Sequence, residues 1–319
     1  LPEIEYRPKG HWVEQIRLNR FIYTAVLFDM CEESGVELLL NSMISSVDEE
    51  ENGICAIVTV KTGMIQVKAK KLIDATGDAN SVQQAGYGVQ KSKVQQPATL
   101  QNSISGYDIE KVDMDQLKES FENADFPEYI SADTLIWYLR EYNLNLHIPC
   151  KDADTSSGRT RVEREAYALM LKFYSFYKNI RGLENLSINF VAEETGVRET
   201  NRIIGIHTIT ADEYINGKMY DDAVCYSFYP IDLHVMNGVK QRFHKENIVP
   251  KIPYRALVPK DSKHIICAGR CISSDTDANS AIRVQATCMA TGQVAGCAAA
   301  IACKDETMLK DISLDKLRE

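Results

Sequence analysis

Three short stretches of this chain hold side chains whose types and spacing can do chemistry. In Tyr229-Pro-Ile-Asp-Leu-His234, Asp232 and His234 stand two apart. On a strand they share a face, and the carboxylate can orient the imidazole. An imidazole held this way can remove or return a proton, whereas a lone histidine is more often a satisfied structural one. In Gly196-Val-Arg-Glu-Thr-Asn-Arg-Ile-Ile-Gly205, Arg198 and Arg202 flank Glu199. Glu199 is near enough to pair with one of them, whether the run is helical or extended. A buried guanidinium can clamp a carboxylate; as a structural ion pair it can equally join two domains. Arg283 is the one charged residue between Asp277 and Lys304. It can meet an anion, or form a salt bridge with Asp275 or Asp277. His11, His147, His207, His244 and His264 have no comparable setting.

The elements that must position these groups follow from pattern. Residues 1–11 read as loop. A helix is expected over 14–34, with Ile16, Phe21, Ala25, Phe28 and Met30 near one face and Gly35 closing it. A strand at 36–40 follows, then a meander at 43–47, 54–60 and 64–69, turned by Glu51-Asn-Gly and Lys61-Thr-Gly. Leu72-Ile-Asp-Ala-Thr-Gly-Asp-Ala reads as a buried strand entering a glycine turn and a helix at 80–85. From about residue 91 to 249 the texture changes to charged, tyrosine-rich helices at 133–142 and 161–177, with strands near 99–104, 144–148 and 186–191. This is expected to be an inserted substrate or cap domain. The final stretch reads as a strand at 264–268, a Gly269-Arg270 turn, a polar loop at 273–280 and one long helix. That helix is Ala-, Gly-, Thr- and Cys-rich, and Gly292 and Gly296 on one face would let another backbone pack close. Its start, after a glycine turn, offers free N–H groups to an anionic or electron-rich group.

Bulk properties bound the answer. The 319 residues suffice for two domains, and the formal net charge of -9 disfavours a nucleic-acid surface. The nine cysteines contain no Cys-x-x-Cys pair, which favours reduced thiols and a cytoplasmic location. The late helix is interrupted by Gln293 and threonines, so no membrane span is expected. No Gly-x-Ser-x-Gly, His-Glu-x-x-His or Walker loop is present, and no metal site is expected.

The specific words carry more. Ala268-Gly-Arg-Cys-Ile-Ser and Ser280-Ala-Ile-Arg-Val-Gln-Ala-Thr-Cys-Met-Ala-Thr-Gly-Gln-Val-Ala-Gly resemble the closing segment of FAD-dependent oxidoreductases with a glutathione-reductase-like flavin domain. Ala75-Thr-Gly-Asp after a meander, the Gly196–Gly205 run and the Asp-x-His run resemble further parts of that family. The resemblance implies an α/β fold: an FAD-binding Rossmann-like remainder at 1–90 and 250–319, and an inserted α+β cap at 91–249. It implies that FAD rests on Gly269, Arg270, Arg283, Thr287 and Cys288, with Thr76, Gly77 and Asp78 near the adenosine-phosphate end. Asp78 has the alternative of capping the helix that follows. His234 and Arg198 would then serve hydride transfer between a small organic substrate and flavin, His234 moving the proton.

One part of the family pattern is missing. The Gly-x-Gly-x-x-Gly turn that cradles a pyrophosphate is absent, and Gly86-Tyr-Gly88 ends without its third glycine. The first βαβ unit would precede residue 1, leaving unpaired sheet edges and exposed apolar surface. The expectation is omission of an upstream part; the alternatives are a flavin-free remnant acting as a binding or scaffold module, and one chain of a split flavoprotein. An oligomer is compatible with the sequence.

Overall fold

The computed structural model describes residues 3–6, 14–17, 19–245 and 247–319. The chain opens with an antiparallel pair, β1 (Glu3–Tyr6) and β2 (Glu14–Arg17), followed by α1 (Arg20–Glu33). Two expectations change here. Helix starts at Arg20 because Asn19 caps it, its side chain accepting from Ile22 N at 3.2 Å, so Ile16 lies in a strand. Residues 3–6 are likewise strand rather than loop, and the rest of 1–11, with His11, lies outside the described residues. None of α1 is buried; Phe21 is 81% exposed and Met30 57%. Residues 36–40, expected as a strand, take no regular structure and leave Val36, Leu38, Leu39 and Leu40 exposed. β-branched and aliphatic content sets a propensity, but a strand needs a partner ladder.

The expected meander is present: β3 (Met43–Glu50), β4 (Gly53–Val60) and β5 (Gly63–Ala69) pair antiparallel in that order. β6 (Leu72–Asp74), α2 (Asn80–Gln84) and β7 (Val89–Lys91) come next. Then follow β8 (Ala98–Leu100), β9 (Asn102–Ser105), α3 (Met114–Glu122), α4 (Ala132–Glu141) and β10 (Leu146–Ile148). A long helix, α5 (Ser156–Tyr177), leads to β11 (Ser187–Val191). Thr155 caps α5 by accepting from Gly158 N at 3.0 Å. Gly158 is required there, since a Cβ would sit 1.9 Å from the Asp152 carbonyl oxygen. Along α5, Val162, Ala166, Leu169, Phe173 and Tyr177 recur at helical spacing and are all buried.

The chain continues through β12 (Asn201–Ile203), α6 (Ala211–Ile215), β13 (Ala223–Tyr226), β14 (Ile231–Val235) and β15 (Gly238–Arg242). It closes with β16 (Lys251–Pro253), β17 (Ile265–Cys267), α7 (Thr276–Ile282), α8 (Gln285–Lys304) and α9 (Leu314–Arg318). The polar loop and single helix expected after residue 272 are two helices. Asp275 caps the first, accepting from Ala278 N at 2.8 Å, so the polar run is a helix start. Arg283 therefore closes α7 and does not open α8.

Two apolar cores result. One gathers the meander, β17, α7, α8 and also Ile203, Ile209, Ala211, Tyr214 and Ile231. The other is built from residues between Ala98 and Leu186, with α5 at its centre. β6 and β17 run parallel, Ile266 beside Ile73, and join the first core's two chain segments. Glu49 clamps the same seam, accepting from Ser262 Oγ at 3.0 Å and Lys263 N at 2.9 Å. The glycine face of α8 is open: a Cβ on Gly292 or Gly296 would meet nothing within 4 Å. No backbone packs there among the described residues. α8 buries Thr287, Thr291, Ala295, Ala298 and Ala302 on its other side. It is also long and apolar enough, by length and composition, to cross a membrane, with 33% of its window buried.

Candidate active site

The first group of expected site residues sits at the turn after β6. Asp74 is buried and accepts four hydrogen bonds: Thr76 N at 3.0 Å, Thr76 Oγ1 at 2.7 Å, Ser81 N at 2.9 Å and Val82 N at 3.2 Å. This carboxylate satisfies the start of α2. Asp78, the expected alternative for capping, instead pairs with Arg270 Nη2 at 2.6 Å and accepts from Thr200. Gly77 has φ +76, and a Cβ there would lie 2.6 Å from the Arg270 guanidinium carbon. Glycine is needed on both counts. Arg270 Nε is buried without a hydrogen-bond partner among the described residues.

The start of α8 lies close by. Gly269 N donates to Thr291 Oγ1 at 3.1 Å, and a Cβ on Gly269 would be 3.7 Å from Cys288 Sγ. Thr287 Oγ1 bonds Ser227 Oγ at 3.0 Å, and Cys288 Sγ contacts Arg283 O at 3.2 Å. Val284 gives α8 no side-chain cap. The first N–H groups of this helix are thus not used by a capping side chain, a setting that suits a negatively charged or electron-rich group.

The second group gathers at the seam between the two cores. Arg198 precedes β12, which runs extended, so the arginines of the Gly196 run diverge. Arg202 is fixed in place: Nε donates to Ser274 O at 2.9 Å, Nη2 to Ser92 Oγ at 3.0 Å, and Nη1 lies 3.6 Å from Glu199. Glu199 also accepts from Gln96 N and Nε2, both at 3.2 Å. Arg202 and Glu199 form the structural pair. Arg198 donates to Pro97 O and has no carboxylate partner within salt-bridge distance among the described residues. Burial, with the neighbouring Arg283, brings Arg198 down to about 10. Arg283 reaches Gln96 Oε1 at 3.4 Å, its Nε is buried without a partner, and burial lowers its pKa. Neither expected salt bridge forms: Asp275 caps α7, and Asp277 lies 3.6 Å from Arg242.

β14 delivers Asp232 and His234 to one face, as their spacing requires. His234 Nε2 lies 3.2 Å from Asp232 Oδ2. Asp232 also accepts from Tyr229 OH at 3.2 Å and Gln241 Nε2 at 3.1 Å. Burial opposes ionisation, yet the bonds from His234, Gln241 and Tyr229 hold Asp232 down at about 2. Burial lowers the His234 pKa; the Asp232 bond works against that, and Arg198 adds to it. His234 Nδ1 lies 3.2 Å from His147 Nε2, and the rings meet edge-on with centroids 5.3 Å apart. His147, discounted from sequence, is thus a member of the cluster, as are Gln96 and Tyr229. One signal was available: His147 alternates with the core residues Leu146 and Ile148, so it must face away from their core. A cavity of about 260 Å³ adjoins both histidines, walled by Tyr129, Trp137, Tyr138 and Met236.

Together these features define an α/β protein with a half-buried cation pair near a carboxylate–imidazole pair, and a helix start without a side-chain cap. The chain belongs to the FAD dependent oxidoreductase family, matching it over residues 3–319. FAD is the cofactor of that family. No curated protein matches the chain. Among solved structures, p-nitrophenol 4-monooxygenase PnpA from Pseudomonas putida is 10% identical over 94% of this chain and 58% of its own, with a TM-score of 0.41. A triple mutant of the flavin-dependent brominase Bmp2 is 12% identical over 96% of this chain and 60% of its own, TM-score 0.38. The anhydrotetracycline hydroxylase OxyS from Streptomyces rimosus is 16% identical over 28% of this chain and 19% of its own, TM-score 0.25. The chain spans 60% or less of the length of each of these three structures.

Proposed function

We propose that the protein of which this chain is part oxidises or reduces a small anionic organic substrate, with hydride passing between substrate and FAD. The residues present suit the cofactor. The unpartnered Nε atoms of Arg270 and Arg283 and the N–H groups that open α8 supply donors, and the side-chain-free face of Gly269 allows close approach. That of Gly77 is filled by the Arg270 guanidinium and serves the turn. Thr76 and Asp78 are engaged within the protein and would shape the turn more than hold a ligand; Thr287 and Cys288 line the helix start. FAD, when bound, supplies the hydride acceptor or donor. In this reading residues 96–200 form the cap, residues 201–249 belong with the flavin-binding part, and the substrate lies at their seam. The unpaired state of all nine cysteines supports a reducing, cytoplasmic setting.

The observation that carries the substrate class is the charge balance of the seam. Arg198 and Arg283 are half-buried. Asp232 is the one carboxylate among the described residues whose charge both of them feel, while Glu199 is tied mainly to Arg202. An excess cation largely withdrawn from water is costly unless an anion completes it. Arg198 and Arg283 would orient the substrate's negative group, and the Asp232–His234 pair would take or return the proton that accompanies hydride movement. The test is the visible absorption spectrum of the full-length protein. Bands of bound flavin, perturbed by small carboxylates and not by their amides, are the expected result; a folded, colourless protein that ignores added FAD would overturn it.

A further inference from the structure

The histidine assigned to proton handling has no nitrogen left for a substrate. His234 Nε2 faces Asp232 and its Nδ1 faces His147, each at 3.2 Å. His147 is committed in turn, with Nε2 on His234 and Nδ1 3.3 Å from Met236 O. What stands on the other side of Asp232 is Tyr229, whose hydroxyl donates to Asp232 Oδ2 at 3.2 Å. Burial and Asp232 push that phenol up and keep it protonated, while the charges of Arg283 and Arg198 work the other way.

We propose that Tyr229, Asp232, His234 and His147 form one proton relay, whose outer end is the phenol beside the arginine pair and whose inner end is the two imidazoles, holding a single proton between them. This deepens the oxidoreductase reading of the seam and rests on it for the identity of the outer end.

Hydrogen counting supports the shared proton. Three contacts need a hydrogen: Asp232 to His234, His234 to His147, and His147 to Met236 O. Two neutral imidazoles carry one N–H each, so one contact is left with lone pairs facing. One added proton satisfies all three. In the tautomer that receives it, His147 Nδ1–H donates to Met236 O, His234 Nδ1–H donates to His147, and His234 Nε2 faces Asp232 bare. When substrate releases a proton, its O–H or N–H bond breaks and the bonding electrons stay on the substrate. That proton joins Tyr229 Oη as the phenol's own proton passes to Asp232 Oδ2 and on to His234 Nε2. Phenol and carboxylate end as they began, and the imidazole pair carries one more positive charge. In the opposite direction every transfer reverses.

The surroundings fix how many protons the pair accepts. Asp232, on the same strand as His234, favours the first. Burial and the cations Arg198, before β12, and Arg283, after α7, oppose a second. Tyr129 and Tyr138 face the pair across the cavity and stay neutral, burial raising both.

The experiment is a pH titration of the histidine ring nitrogens by 15N NMR in the full-length protein. The expected result is one common midpoint for His147 and His234, below the ordinary 6.5. Tyr229→Phe should raise that midpoint, because the carboxylate loses a donor and draws the imidazolium proton more strongly. His147→Asn should leave His234 titrating alone at a different pH. Separate midpoints in the unaltered protein, or a midpoint unmoved by Tyr229→Phe, would overturn the relay. Should Tyr229→Phe not fold, fluorotyrosine incorporation strengthens the same donor and should lower the midpoint. The visible spectrum of the same samples reads the flavin independently. A colourless protein with the common midpoint keeps the relay and removes the flavin reading; a yellow one with separate midpoints does the reverse.

Discussion

The turn after β6 and the seam at β14 both hold arginine and aspartate near the start of a helix, yet their charges are arranged in opposite ways. At the turn, Arg270 meets Asp78 at 2.6 Å and Asp74 takes four hydrogen bonds, so both carboxylates are satisfied within the protein and only Arg270 Nε is left over. At the seam, Arg198 and Arg283 share the field of Asp232 without an ion pair among the described residues, and two imidazoles fall one proton short of their contacts. The difference separates a turn shaped mostly from within from a seam left open to a ligand. A polar cluster that closes on itself holds a backbone in place, and one left with surplus charge in a low dielectric favours a ligand that completes it.

That contrast can be broken by substitution. Asp232→Asn removes the carboxylate whose field the two seam arginines share and is expected to cost about 3 kcal/mol in urea denaturation. A loss no larger than that of Asp78→Asn would erase the distinction. Acid should act on the seam first. The folded-state pKa values of His147 and His234 are depressed, so both states are neutral above the ordinary 6.5. As pH falls through 6.5 the unfolded chain takes protons first and stability declines, a loss continuing until the folded pair also protonates. Asp232 adds a later loss as pH drops from 3.8 towards about 2. Thermal melts of His147→Asn should show a shallower fall below 6.5 than the unaltered protein.

Smaller effects sharpen the same point. Arg283→Met should leave the melting temperature unchanged or raised while FAD affinity drops roughly tenfold, about 1.4 kcal/mol, in a fluorescence titration. Asp78→Asn, at a part-exposed pair, is expected to cost about 1 kcal/mol or less. Gly292→Ala should stabilise α8 by up to about 1 kcal/mol, because its Cβ enters open space. A destabilised Gly292→Ala in the full-length protein would show that this face is covered there.

Much of this was legible in the residues. The β3–β4–β5 meander follows from alternation and two Asn-Gly or Thr-Gly turns, which are local signals. The extent of α5 was partly legible: residues 161–177 read as a charged, tyrosine-rich helix, while its first turn depended on Thr155 as a cap. The 14–34 helix was right over residues 20–33 and wrong at its start, and the 36–40 strand was misjudged because aliphatic content was read as a strand without a partner ladder; α1 buries nothing against the described chain. Within the site, Asp232 and His234 were recoverable because a strand puts residues two apart on one face. Their companion His147 is 87 positions away in sequence, and although alternation with Leu146 and Ile148 turns it out of their core, no local rule brings it to His234.

The sequence by itself determined the family, through the resemblance of its longer motifs, and the α/β character, the meander and the candidate site residues, through short-range pattern. Only the tertiary structure decided which arginine is spent and which is left over. Arg198 and Arg202 sit four apart in one run, and an extended β12 sends Arg202 to Glu199 and the Ser274 carbonyl while Arg198 reaches the Pro97 carbonyl, within the field of Arg283. Charge completion depends on partners brought from distant segments, and no window along the chain contains them.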